Sequence, residues 1–458
     1  MVRKTMEGGY EIIKVISSLF FFSFSFSQWL ETTIFVEKNP YQLCYNQRDH
    51  KVYCTNFSSN SISIIDGRTN EVIATIPTGF YPSSLCYNLI GNKIYCLHGP
   101  NGRVNSILVI DGATNRVIAD IPKDEGVGSL LYNPANNKVY CANSVSGSIT
   151  VIDGSSDSVI KTIGVGRWAN TLCYNSQNNK IYCANWDDTT VSVIDGIGDS
   201  LIATVRVGNS PYALVYNPIN NRVYCGNWDE TTVSVISGET NSVIATIEVG
   251  YWPQTLCYND RNNKIYVAVM PMNYLAVIDG NTDSIIATIP VGRWPWALIY
   301  NPINNKIYCA NSGSDDITVI DGATNQVLMT LTPGRRTPTA FTLNPIENRI
   351  YVANYWNSPN EPPESTISVI RDVAAIEKDY LKPISYFGFI FPNPAKPEYL
   401  HFPPQVNQVK IYSPTGKLIK EGKGRRESDF SINGLKSGVY ILKVKTADKE
   451  FTQKLIIR

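Results

Sequence analysis

Residues 171–208 read TLCYNSQNNKIYCANWDDTTVSVIDGIGDSLIATVRVG, and the spacing within them decides the fold. Four short apolar runs alternate with turn formers. Residues 172–174 (LCY) lead into the loop 175–180, residues 181–184 (IYCA) follow, and the polar WDDTT separates them from 191–194 (VSVI). Asp195-Gly196 then precedes the last run, 201–207 (LIATVRV). Short runs rich in Val, Ile, Tyr and Thr, bounded by Gly, Asn and Asp, signal β-strands. No window carries the i, i+3, i+4, i+7 stripe of a helix. The stretch predicts four antiparallel strands, A to D.

The unit recurs. The Tyr of strand B stands at 53, 95, 140, 182, 224, 266, 308 and 351, at intervals of 42, 45, 42, 42, 42, 42 and 43. A period of ~40–45 residues with four strands per repeat is the mark of a β-propeller blade. A lone four-stranded sheet leaves apolar surface wet on both faces, whereas a ring of sheets buries each face against a neighbour. The eighth repeat lacks a D strand after 367–370, and a matching piece, 32–37 (TTIFVE), precedes the first. That N-terminal strand is predicted to complete the last blade and close the circle, which removes exposed edges.

From its start, the 458-residue chain is too long for one ordinary domain, and its net charge is +1. Residues 1–27 read as a secretory signal peptide: Arg3, Lys4 and Lys14 precede the apolar 15–26, with Ser25 and Ser27 ahead of Gln28. No later segment is apolar over the ~18 residues of a membrane helix. Residues 32–372 form the ring. Its A–B loops, such as Asn217-Pro218-Ile219-Asn220-Asn221-Arg222, place Pro where a type I turn wants it and Asn where the left-handed conformation follows. Its C–D loops carry Asp-Gly at 66, 111, 153, 195, 279 and 321. Those aspartates read as hairpin-turn residues, with calcium ligation as the alternative.

The repeat Lys-Ile-Tyr-Val/Cys-Ala-Asn, Val-Ser-Val-Ile-Asp-Gly, Val-Ile-Ala-Thr-Ile, Val-Gly-x-x-Pro resembles the YVTN-type propeller repeat of microbial surface and secreted proteins. The resemblance covers about 340 residues. It implies a surface or extracellular scaffold without a defined reaction. It also raises seven blades as an alternative count, since members often have seven.

A linker, 373–383, leads to a basic tail. Residues 384–458 hold 13 Lys/Arg and 6 Asp/Glu, and again read as short strands. Phe391-Pro392-Asn393-Pro394, the segment 411–417 with Gly416, the segment 434–444 with Gly438 and Tyr440, and the closing KLII are similar to the C-terminal sorting domain of type IX secretion cargo (Por secretion system type A). The resemblance implies a small Ig-like β-sandwich that engages the type IX machinery and sends the chain across the outer membrane to the surface or beyond. The tail lysines alternate along strands instead of clustering, which argues against nucleic acid as the partner.

Ten cysteines fall at two repeat positions: strand A at 44, 86, 173 and 257, and strand B at 54, 96, 141, 183, 225 and 309. Cross-strand bridges are conceivable for Cys44/Cys54, Cys86/Cys96 and Cys173/Cys183. Other repeats put Leu131, Val215, Val267 or Ile299 in these slots, so small apolar core positions with free thiols are the preferred reading. There are three histidines, at unrelated repeat positions (His50, His98, His401). No metal or cofactor site, no hydrolytic triad and no phosphate loop can be named. The expectation is a protein that is not an enzyme.

Aromatic residues are the distinctive feature. D–A and B–C loops emerge on one face of an up-and-down blade, and seven of the eight Trp residues map there: Trp168, Trp186, Trp228, Trp252, Trp294, Trp296 and Trp356. Arg293, Arg335 and Arg336 lie among them. Loops on a rigid scaffold carry function, and Trp, Tyr and Arg are the residues of binding hot spots. The competing reading makes the Trp residues seam plugs between blades. The expected function is non-catalytic binding of a glycan, peptide or protein outside the cell. A lactonase-like or lyase-like propeller and a purely structural surface-layer component are the alternatives.

Overall fold

The computed structural model describes residues 28–99, 105–333, 337–355 and 365–372, and within the tail 399–402, 406–413, 417–423, 428–431, 435, 438–446 and 450–457. The signal peptide reading, the linker, Arg335, Arg336, Trp356, Pro392, Asn393, Pro394 and Gly416 lie outside these residues. The chain divides into two units, Met1–Ala375 and Ile376–Arg458.

The first unit is a ring of eight four-stranded sheets. Blade 4 is typical: Ala169–Asn175, Lys180–Asn185, Thr190–Asp195 and Ser200–Arg206 pair antiparallel in chain order. Seven blades follow that order. The eighth joins Pro338–Asn344, Arg349–Asn354 and Thr366–Asp372 to the N-terminal strand Gln28–Phe35. The ring therefore has eight blades, not seven, and the closing strand begins at Gln28, four residues before the stretch read from the sequence. First strands of adjacent blades pack on one another, so the A strands line the axis.

Strand B is buried end to end because both its faces meet a neighbour. In blade 4, Ile181 and Cys183 pack toward Tyr140 and Val151 of blade 3, whereas Tyr182 packs toward Val223 and Cys225 of blade 5. The same geometry decides the thiols. Cys183 stands opposite Leu172, and Cys173 opposite Tyr182, so the two sulfurs lie on opposite faces of the sheet. Cys44/Cys54 and Cys86/Cys96 are offset in the same way. The bridges conceivable from sequence are sterically closed, and all ten cysteines are free. Burial pushes Cys44, Cys173 and Cys183 up to about 12.

Polar contacts run around the ring at the opposite end from the aromatic loops. Each strand-B Tyr is fully buried, and all but Tyr308 reach the C–D turn of the following blade: Tyr95 donates to Asp157 (2.5 Å), Tyr140 to Asp199 (2.8 Å), Tyr224 to Asp283 (2.6 Å). The cation two residues earlier joins it, as in Lys93–Asp157 (2.7 Å) and Lys138–Asp199 (2.6 Å). Buried asparagines link the A–B loops, for example Asn175 to Asn221 and Asn217 to Asn263, both at 2.7 Å. The Asp-Gly pairs turn out not to be two-residue hairpin turns. Asp195 accepts from the N–H groups of Ile197 and Gly198, both at 3.0 Å, and the left-handed residue is Asp199 (φ 51°). Gly196 is there because a Cβ would sit 2.6 Å from the Asn179 carbonyl of the A–B loop.

Closure repeats this logic with different residues. Blade 8 has no C–D turn, and Asp372, fully buried, replaces it. It takes Lys306 Nζ at 2.8 Å, Asn301 Nδ2 at 2.6 Å and Gln28 Nε2 at 3.3 Å. Arg349 grips Glu31 of the closing strand through two bonds of 2.7 and 2.6 Å. The tail unit comprises a four-stranded sheet, including Val406–Tyr412 and Gly438–Thr446, and a two-stranded pair, Tyr399–Phe402 with Ser428–Ser431. Gly438 and Tyr440 lie in its long central strand.

Removing one partner of a buried ion pair strands the other charge, at about 3–5 kcal/mol. Asp372→Ala will lower the unfolding free energy by that amount in urea titration, whereas a change below about 1 kcal/mol would show that the clasp does not hold the ring. Non-reducing peptide mass spectrometry of the exported protein will find no 44–54, 86–96 or 173–183 cross-link.

Candidate functional site

The aromatic face is built from three loop positions per blade. Every D–A loop turns at one residue with left-handed backbone, where Asn, Ser or Gly sits cheaply. Asn39 (φ 58°), Gly126 and Ser210 (φ 51°) obey that rule, but Thr337 (φ 46°) departs from it, and Tyr81, Trp168, Trp252 and Trp294 occupy the same position at φ 56°, 56°, 55° and 53°. For bulky residues this backbone is a strained outlier. Two residues later strand A opens in a β-bulge, as between Ala169 and Thr171 or Pro211 and Ala213. The bulged residues, among them Asn170, Tyr212, Gln254 and Trp296, fall outside the regular ladder pairing. The B–C loop supplies the third position: Phe57, Trp186, Trp228 and Met270. The two loops of a blade are tied together, Trp186 N–H donating to the Trp168 carbonyl at 3.1 Å.

Four of the tryptophans named from sequence come together over blades 4 to 6. Trp186 meets Trp228 at 5.2 Å between ring centroids, and Trp228 stacks on Trp252 at 5.1 Å with 8° between planes. Trp228 Nε1 donates to Gln254 Oε1 at 3.1 Å. Tyr212 stands at 87° to Trp186, 5.1 Å away. A cavity of ≈ 330 Å³ opens beside them, lined by Trp168, Asn170, Trp186, Asp187 and Tyr212. Trp294, with Arg293 beside it, lies apart in blade 7 against the backbone of Gly313. Trp296 is half-buried at its bulge.

The seam-plug reading fits some of these residues and not others. Trp186 and Trp228 are half-buried, but Trp168 is 49% exposed and Trp294 59%. A second aromatic group joins Tyr81 and Tyr355, which loop mapping puts on this face, to Tyr41 and Phe57, which it missed: Tyr41 touches Phe57 at 5.6 Å and Tyr355 at 6.2 Å, and Phe57 touches Tyr81 at 5.0 Å. Burial raises the Tyr41 hydroxyl, and Tyr212 and Tyr355 add to the shift. Tyr41 shares its repeat position with Tyr212, the signal that could have found it.

The charges are distributed unevenly. Arg167 holds Asp188 through its backbone N–H and through Nε at 3.0 Å. The carboxyl of Asp188 is thereby held below its ordinary 3.8, first by that N–H and then by the guanidinium. Among the described residues, the Asp187 carboxylate accepts no side-chain hydrogen bond, although the Arg167 guanidinium lies near it and donates to the Asp187 carbonyl at 3.4 Å, and no group of three or more His, Cys, Asp or Glu converges in metal-binding fashion.

Residues 389–458 match the family of the secretion system C-terminal sorting domain. The tail is a sorting domain. It routes the chain through type IX secretion to the cell surface or extracellular space, and no described helix is long and apolar enough to cross a membrane. No curated protein sequence matches the chain. Among solved structures, the ring is similar to Sqt1 of Saccharomyces cerevisiae (10% identity, TM-score 0.65, covering 76% of this chain and 100% of that one). It is also similar to the computationally designed Ika8 protein (15%, 0.61, 74% and 98%) and to Kuenenia stuttgartiensis hydrazine synthase (16%, 0.50, 62% and 97%). At these identities the likeness is one of fold.

The folded-state value of Asp188 is the depressed one. Its contribution is therefore complete above the ordinary carboxylate range and is lost as pH falls through the lowered value. In an NMR titration, Arg167→Gln will move Asp188 part of the way back toward 3.8, because the backbone N–H remains. An unmoved titration would show that the guanidinium does not act on it.

Proposed function

We propose that this exported propeller is a non-catalytic recognition protein and that its aromatic face engages a glycan, peptide or protein partner outside the cell. The observation that carries the reading is the set of exposed aromatic residues at left-handed backbone, Trp168, Trp252 and Trp294 with Tyr81. A left-handed L-residue costs roughly 1–2 kcal/mol, and 39–59% of each Trp stays in water, open to a partner. Strained backbone under half-exposed aromatic rings accords with use of the site. A purely structural surface-layer component gives no reason for it. The resemblance of the repeat to YVTN-type surface proteins supports the same role, and the sorting tail delivers the face to where extracellular partners are met.

The test is a glycan and peptide array on the full exported chain beside a Trp252→Ala, Trp294→Ala double variant. Binding lost in the variant with melting unchanged is the expected result. Binding that survives in the variant, or no binding at all together with a melting loss of several degrees, would make these residues packing groups.

A further inference from the structure

The cavity between blades 4 and 5 has a specific chemistry, and its assignment rests on the recognition reading above. Three of its five lining side chains are aromatic: Trp168, Trp186 and Tyr212. Trp186 and Tyr212 meet at 87°, which makes two walls of a corner. Trp186 is fixed from behind by Trp228, itself held by its stack on Trp252 and its bond to Gln254. Trp168, held at its strained backbone, stands at the open side.

The polar lining is sparse, and that decides between ligand classes. A sugar ring presents hydroxyls all around its edge, each needing a partner, and this cavity offers only Asn170 and Asp187. An alkylated ammonium group needs none of these bonds. It presents methyl or methylene surface and a positive charge, which suit π faces and one counter-charge. The charge balance agrees. Loop residues 166–170, 186–189, 208–212 and 228–231 carry Asp187, Asp188, Asp229 and Glu230 against the single cation Arg167. Arg167 pairs with Asp188 through Nε and reaches the Asp187 carbonyl through Nη2, and Asp229 accepts from Ser210 Oγ at 2.5 Å. The Asp187 carboxylate, at the cavity wall, is left for a ligand. A volume of ≈ 330 Å³ lies at the small end of the ~300–1,000 Å³ typical of ligand sites, the size of a head group.

We propose that Trp168, Trp186 and Tyr212 form an aromatic cage for an alkylated ammonium group, with Asp187 as its counter-charge. The cage recognises charge and methyl surface together, so it discriminates against a neutral group of the same shape.

The experiment is calorimetric titration of the full exported chain with choline and with its carbon isostere dimethylbutanol, alongside cellobiose. Choline is expected to bind at least about tenfold more tightly than the isostere. Asp187→Asn should weaken choline about tenfold, and Trp168→Ala, at an exposed position, should remove binding without lowering the melting temperature. Co-sedimentation with phosphatidylcholine vesicles, lost in Trp168→Ala, would place the ammonium on a lipid; choline binding without co-sedimentation would place it on a free solute. Equal binding of choline and isostere overturns the cage, as does cellobiose binding in its place or the absence of choline binding. None of these outcomes alters the array result, so the cage can fail while recognition by the wider face stands.

Discussion

The structure depends on one contact repeated around the ring, the grip of a strand-B tyrosine and its neighbouring cation on the C–D turn of the next blade. Tyr140 and Lys138 on Asp199 are typical, at 2.8 and 2.6 Å. A buried hydroxyl or carboxylate without a partner is expensive, so each blade fixes the position of its successor as well as its own fold. A ring held this way must close on itself, and the last blade has no turn to offer. Asp372 and Arg349 take over there, binding Gln28 and Glu31 of the N-terminal strand. Because the lower end of the ring is rigid, the loops at the other end are free to hold conformations that a looser scaffold would relax.

Much of this was legible in the sequence for a simple reason. A tyrosine recurring about every 42 residues marks one structural unit, and a missing final strand with a spare initial one marks closure. What the sequence hid is what depends on the neighbouring blade. Asparagines such as Asn175 read as turn formers, and they are, but their amides also bridge to the next A–B loop. Gly196 reads as a turn glycine and is instead a contact residue. Cys173 and Cys183 look like hairpin partners until register puts them on opposite faces. Periodicity describes a sheet; it does not say what each face will meet.

The aromatic face was legible in composition and not in conformation. Loop mapping collected the tryptophans on one side of the ring. It did not show that Trp168, Trp252 and Trp294 hold left-handed backbone, because that is set by the tight D–A connection into the strand-A bulge and not by the residue that occupies it. Nor did it show that Tyr41 packs beside Phe57 and Tyr355. A rigid ring bearing strained, exposed rings beside unspent polar groups, on a chain with a secretion tail, is a consistent design for meeting a ligand outside the cell.

The central claim is that these aromatic residues are kept at the expense of the fold. Equilibrium unfolding of Trp294→Asn tests it most directly, since Asn39 already fills the equivalent position with the same backbone (φ 58° against 53°). The account predicts unchanged stability or a gain of up to about 1 kcal/mol. A loss of more than about 1.5 kcal/mol, in the range of a buried core side chain, would contradict it and return the tryptophans to packing.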